Sequence, residues 1–368
     1  MFNDKLTSLV VVLNFGSLML LAMLNFTNPL KVNRVANRWF GVFLLLWTTF
    51  FYDELSVLLL SHDLEPIWEM ILRFVQFYSP MVFYFSIIFY SNPATEFNKL
   101  ILPHLVLPAI YLAGIYFYYF EGGSARLNDV LIIIMLSQTL FYCLISFFRI
   151  RKHQRRVLLY ASNAHEVNLF WLERLTIGVL VMIVAIITYN IMFYMESLNL
   201  VMSVIQLLVI YVIAFHSLRQ KEIYPFSKQS RIEILSIEEQ EPEEVRRKIV
   251  PDEEIVELKS KLHQFMLSDK PYIDPEINLV KLAEMFGTSP HKLSYIINTG
   301  FNRNFFNFIN AYRVEEAKVL LMDPKMDHYS VLGIAFESGF NSKTSFNSTF
   351  KNITGLTPTE YKKTGTTL

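Results

Sequence analysis

The chain has 368 residues, 53% of them apolar, and a positive mean hydropathy, which excludes a purely water-soluble protein and leaves room for two or three domains. Lys and Arg number 33 against 33 Asp and Glu. No overall basic field therefore announces nucleic acid, and any such attraction has to come from local patches.

In chain order, apolar segments of spanning length fall near 7–26, 39–60, 67–91, 100–120, 127–148, 175–195 and 200–216. The first is longer than a signal-peptide core and has no small-residue cleavage site, so it reads as a retained membrane helix. Seven spans put the two ends of residues 1–216 on opposite sides. One set of connections holds Lys31, Arg34, Arg38, Lys99, Arg149, Arg151, Lys152, Arg155, Arg156, Arg174, Arg219, Lys221 and Lys228, while the alternate set holds only Lys5 and Arg126. Cytoplasmic connections carry the excess of Lys and Arg, so the N-terminus is expected outside and everything after about residue 217 inside. The single cysteine, Cys143, lies in an apolar run without metal-ligand spacing and reads as core filler.

Polar residues inside spans are either structural or functional. Asp53 and Arg73 each lie about seven residues in from the outer ends of spans two and three, roughly 10 Å at 1.5 Å per residue. They read as an ion pair joining those spans, with Glu54 sharing or replacing Asp53, or as part of a ligand site. Asn190 and Gln206, with Gln76 and Gln138, suit interhelical hydrogen bonds or an outward-opening pocket. Pro80, Pro103 and Pro108 are candidate kinks. No broken-helix repeat or filter-like loop points to a transporter.

Residues 217–251 pass from basic to glutamate-rich without an apolar period and read as a charged tether. A helix is expected from 253 to 266. A first helix-turn-helix follows at about 278–299, in which Leu279, Leu282, Ala283 and Phe286 point inward, Gly287 allows the turn, and Ser289 caps a helix opened by Pro290. That helix should bury Leu293, Ile296 and Ile297 and present His291, Lys292, Ser294, Tyr295 and Asn298. Residues 304–321 give a connecting helix of roughly 27 Å, near one turn of DNA. A second helix-turn-helix spans about 330–354, turning at Gly339, burying Phe346 and Phe350, and presenting Ser342, Lys343, Thr344, Asn347, Ser348 and Lys351 to base edges and phosphates. Thr357, Pro358 and Glu360 are spaced as a capping box for a last short helix.

The spelling A-x-x-x-G-F-x-x-x-x-x-F-x-x-x-F-K-x-x-x-G-x-T-P-x-x-Y, carried by Ala335, Gly339, Phe340, Phe346, Phe350, Lys351, Gly355, Thr357, Pro358 and Tyr361, resembles the C-terminal signature of AraC/XylS-type bacterial transcription regulators. The resemblance covers roughly residues 255–363. It departs from the family at Asn302, where glycine is common, at Ser345 and Ser348, where an aromatic and a basic residue are frequent, and at Leu332 and Gly333. It implies double-stranded promoter DNA as a partner, with RNA polymerase, and it places Arg313 in an R-x-x-x-A-K element where an ion pair with Glu316 is expected.

The expected fold class is therefore all-α: a seven-helix transmembrane bundle (1–216), a linker (217–251) and a cytoplasmic AraC-type domain (252–368) with two helix-turn-helix units joined by a long helix. The expected function is a one-component regulator in the bacterial inner membrane, with activator and repressor both left open by the sequence, responding to a small-molecule or envelope signal and open to homodimerisation. It would be no enzyme, with no cofactor and no metal. Two alternatives stand beside it: a receptor whose helix-turn-helix domain is a protein-interaction module, since residues 252–368 are near neutral, and a small-molecule transporter with a regulatory tail.

Overall fold

The computed structural model describes residues 2–52, 55–56, 65–93, 95, 102–163, 167–192, 199–221, 223 and 251–366. Among them every regular element is helical, and the one extended pairing is an isolated antiparallel bridge between Ala161 and Asn278. The chain forms two compact units, residues 1–151 with 169–223, and residues 152–168 with 224–368. The charged tether expected at 217–251 lies mostly outside the described residues.

The first unit holds α1 (Phe2–Thr27), α2 (Arg34–Thr48), α3 (Pro66–Phe77), α4 (Ser79–Ser91), α5 (Val106–Phe120), most of α6 (Ala125–Tyr160), α7 (Phe170–Met192) and α8 (Asn199–Arg219). Where seven spans are expected, three stretches among the described residues are long and apolar enough to cross a membrane: Leu6–Thr27, Pro66–Ser91 and Ala125–Tyr160. Val106–Phe120 and Ser203–Arg219 are shorter apolar helices. The stretch expected as span two is helical to Thr48 and continues as a 3-10 turn, Thr49–Phe51. Pro80 interrupts the third stretch between α3 and α4 at Tyr78, because proline has no N–H and its ring crowds the carbonyl four residues back.

Polar side chains tie the apolar helices together. Gln138 Nε2 donates to Phe77 O at 2.8 Å, Gln76 Nε2 to Thr49 O at 3.1 Å, and Asn14 Nδ2 to Ser203 O at 2.9 Å. Where no water competes, an amide that finds a backbone carbonyl on a neighbouring helix avoids the cost of an unmade bond.

The second unit contains α9 (Asp252–Ser268), α10 (Leu279–Phe286), α11 (Pro290–Phe301), α12 (Phe305–Met322), α13 (Val331–Glu337), α14 (Lys343–Thr354) and α15 (Pro358–Thr366). The 18-residue α12 serves two cores. Its first half buries Phe305, Phe308 and Ile309 beside the buried faces of α10 and α11, Leu279, Leu282, Leu293, Ile296 and Ile297. Its second half contributes Val314, Ala317 and Leu321 to a cluster with Ile334, Ala335, Phe340, Phe346 and Phe350. Side chains of this size are worth roughly 1.5–3 kcal/mol each when fully buried, so both turns are anchored to one rigid rod.

The turn between α13 and α14 depends on Gly339, whose φ is +86°. A Cβ there would lie 2.3 Å from Tyr272 O and 2.9 Å from Ile273 Cα, both backbone atoms that cannot swing aside. Gly339→Ala is therefore expected to destabilise the second unit by roughly 3 kcal/mol or more, combining a strained φ with overpacking. Thermal unfolding of the full chain, followed by proteolytic susceptibility of residues 251–366, checks this; wild-type resistance in the variant would refute the close approach.

Candidate nucleic-acid interface

Each helix that could meet DNA begins and ends on side chains suited to the job. Asn278 Oδ1 accepts from Lys281 N at 3.0 Å to start α10, which stops at Gly287 (φ +72°) with Thr288 N donating to Ala283 O. Ser289 Oγ accepts from Lys292 N at 3.2 Å and Pro290 opens α11. Ser342 Oγ accepts from Ser345 N at 3.2 Å to start α14, which ends at Gly355 (φ +80°). Thr357 and Glu360 exchange bonds as a capping box at the head of α15, and Tyr361 packs edge-on against Phe350. A cap of this kind is worth about 1 kcal/mol, and here it also sets where each second helix begins.

Arg313, which is 1% exposed, ties the 271–274 turn that leads into α10 to the bend between α13 and α14. Its Nε donates to Tyr272 O at 2.7 Å, and its Nη2 to Asp274 O at 2.9 Å and to Ser162 Oγ at 3.2 Å. The guanidinium also lies over the Phe340 ring, 5.8 Å from its centroid. Burial pushes its pKa down to about 10, with the Asp274 charge opposing the shift, so it remains protonated at neutral pH. The ion pair expected between Arg313 and Glu316 does not form. Glu316 instead takes Lys270 at 2.9 Å and the Tyr272 hydroxyl at 3.1 Å. The correction has a physical reason: a guanidinium has five donors in a fixed fork, and the carbonyls that end the 271–274 turn meet that fork better than one carboxylate a helical turn away.

The residues expected to read DNA fall into two groups. On α14, Lys343, Thr344, Ser348 and Lys351 are exposed and Asn347 is half-buried, while Ser342 is taken up as the cap. Ser348 Oγ donates to Thr344 O at 2.9 Å, so part of its capacity is spent within its own helix. On α11 the face is narrower. Ser294, expected outward, is 5% exposed and its hydroxyl accepts from Asn298 Nδ2 at 3.3 Å. The reason is that α11 packs against α9, α10 and α12 together, three neighbours where an amphipathic pattern accounts for fewer. His291, Tyr295 and Asn298 are half-buried, and Lys292 Nζ is engaged by Glu254 of α9 at 3.0 Å. The pattern of α11 alone gives no sign of Glu254. Asn310, 1% exposed, also escaped sequence reasoning, although it stands three residues before Arg313 and so on the same side of α12.

Charge is distributed unevenly around these helices. No Asp or Glu occurs from residue 285 to 314 or from 338 to 359, so both second helices are free of carboxylates although the domain as a whole is near neutral. On α14 this leaves Lys343 and Lys351 with no carboxylate in their own helix, whereas on α11 Lys292 is met by Glu254.

Of the residues considered for a ligand in the first unit, Asp53 and Glu54 lie outside the described residues, as does the side chain of Asn190. Arg73 Nη1 donates to Asn128 Oδ1 at 2.9 Å and its guanidinium lies over the rings of Tyr118 and Tyr119. It lines a cavity of about 380 Å³ with Glu69, Gln76 and Tyr119. Gln206 lines a separate, largely apolar cavity of about 510 Å³ between α7 and α8, with Arg174 and His216 also on its wall. The structure thus keeps Arg73 and Gln206 in different places.

Two capped helix pairs sharing one long helix define a tandem helix-turn-helix module. A family model described as a helix-turn-helix domain matches residues 282–364, and the module is of the AraC type. The chain is 33% identical over 87 residues, 24% of its length, to proteins named uncharacterized HTH-type transcriptional regulators in Staphylococcus aureus strains COL and MSSA476. It is also 33% identical over 89 residues to an uncharacterized HTH-type transcriptional regulator in the cgkA 5' region of Pseudoalteromonas carrageenovora. The chain spans 11% of the length of the two staphylococcal relatives and 51% of the third. No solved structure matches it significantly.

Replacing Arg313 with Lys keeps the charge but removes the fork. The loss is expected to cost roughly 2–3 kcal/mol, because two carbonyls and a hydroxyl are left with one ammonium among them. Hydrogen exchange of the full chain should show lost protection in residues 271–278 and 338–342; unchanged protection there would refute the assignment of Arg313 as the tie.

Proposed function

We propose that this protein is a one-component, membrane-embedded transcription regulator whose C-terminal module binds promoter DNA in a sequence-specific manner. The observation that carries the reading is the pair of capped, carboxylate-free helices α11 and α14 mounted on α12, with Lys343, Thr344 and Lys351 exposed. In this reading Lys343, Thr344 and Asn347 meet base edges, Lys351 meets phosphate, and His291, Lys292, Tyr295 and Asn298 form the smaller face of the first unit. The absence of acidic groups from both helices favours DNA over a protein partner.

The membrane half would act as the sensor: seven spans in the bacterial inner membrane, N-terminus outside, C-terminal module in the cytoplasm. Three helices of sufficient length and apolarity support it, as does the 13-to-two distribution of Lys and Arg between alternate connections. The cavities at Arg73 and Gln206 are the places where a small molecule could bias the bundle, and the response would pass by conformation or dimerisation to RNA polymerase recruitment.

Full-length protein in lipid nanodiscs, tested against duplexes that it selects from a random pool, decides the DNA-binding part. Log affinity is expected to fall linearly with log salt, as counterions leave neutralised phosphates; salt-independent or absent binding would remove the reading. Lys343→Ala should weaken binding by an amount that depends on sequence, and Lys351→Ala roughly evenly across sequences with a shallower salt slope. Glu254→Gln, which releases Lys292 from its carboxylate partner, is expected to tighten binding and steepen that slope by about one ion. An unchanged slope would show that Lys292 does not reach phosphate.

A further inference from the structure

Residues 161–163 come from the connection between α6 and α7, far in sequence from the helix-turn-helix module, yet they are built into it. Ala161 pairs with Asn278, the residue that caps α10. Ser162 is 2% exposed; its hydroxyl donates to Ile277 O at 2.6 Å and accepts from Arg313 Nη2 at 3.2 Å, and its carbonyl accepts from Asn310 Nδ2 at 3.3 Å. One serine therefore touches the strand-like lead into the first turn and two buried side chains of the connecting helix. Just outside it, Val167 O accepts from His153 Nε2 at 2.9 Å, closing the connection back onto the last turns of α6.

We propose that residues 161–163 are a latch through which the membrane half sets the DNA affinity of the module, tight when the segment is docked and weaker when it is withdrawn. This rests on the DNA-binding reading above. Three features carry it. The segment continues α6, a 36-residue helix that begins in the first unit, so a displacement of that helix is delivered to Ser162 by the covalent chain. Its contacts are polar, and on withdrawal water can enter to meet the groups that it leaves, so undocking costs less than stranding those groups dry. Among the described residues none of its partners stands on α11 or α14, so docking leaves the DNA-facing side chains uncovered. What docking does is supply an acceptor to Arg313, the residue that ties the lead into α10 to the bend between α13 and α14, and an ordered spacing of the recognition helices lowers the cost of engaging two grooves at once.

The test uses the full chain in nanodiscs with Cys143→Ser, Ala161→Cys and Asn278→Cys, assayed on duplexes selected by the wild-type chain. Mild oxidation should form the disulfide and tighten binding roughly fivefold or more over the reduced form of the same protein, the range of ordinary allosteric coupling. Ser162→Ala, which keeps the backbone bridge and removes both hydroxyl bonds, should weaken binding by a similar factor. Failure of the cross-link to form, or oxidised binding equal to or weaker than reduced, or wild-type affinity in Ser162→Ala, each overturns the latch. If the wild-type chain selects no duplex at all, the DNA-binding reading fails, and that result is distinct from the others.

Discussion

A buried cation without a carboxylate is the constraint around which the second unit is organised. Moving a guanidinium out of water costs several kcal/mol, and Arg313 recovers this only because carbonyls, hydroxyl and amide oxygens converge on it from separate stretches of chain. Two of those acceptors end the 271–274 turn, whose backbone also lies against Gly339. The placement of the second turn, the approach of the chain into the first, and the orientation of the helix between them are therefore mutually dependent. None can shift far without stranding a charge or driving backbone atoms together.

From that seam outward the module is conventional physical chemistry. Side-chain caps fix where α11 and α14 start, glycines in the left-handed region let α10 and α14 stop, and phenylalanines on one side of α14 leave its other side for polar residues. A domain of near-zero net charge can then keep both second helices free of carboxylates of their own, because these are gathered on α9, around residues 315–327 and on the outer turns, although Glu254 of α9 reaches Lys292. Electrostatic footprints are a matter of placement more than of totals.

Most of this module is legible in the sequence because its rules are local. Ser289 before Pro290, Asn302 at φ +51° in place of glycine, and Ser342 ahead of a polar helix each declare their backbone state within four residues. What stays hidden is tertiary. Nothing near Ser294 says that three helices will enclose α11, nothing near Lys292 points to Glu254, and the nearness of Glu316 in sequence conceals that the Arg313 fork goes to the carbonyls of Tyr272 and Asp274 while Glu316 takes Lys270 and the Tyr272 hydroxyl. In the first unit, hydropathy finds three stretches long enough to cross a membrane and Pro80 marks the break at Tyr78 within one of them, whereas nothing in the second apolar run announces the 3-10 turn at Thr49.

The length of α6 has a mechanical meaning. At 1.5 Å per residue its 36 residues extend about 54 Å, whereas the hydrocarbon of a bilayer is about 30 Å thick. In a membrane the surplus would carry Arg149, Arg151, Lys152, Arg155 and Arg156 to the level of the headgroups, with Arg149 bonded to Ser91 Oγ and Arg151 to Glu173. Under the proposed membrane placement, a rod longer than the bilayer is thick would turn a change in lipid thickness or tilt into a translation of its far end, and bilayer composition would then be an input to the proposed sensor.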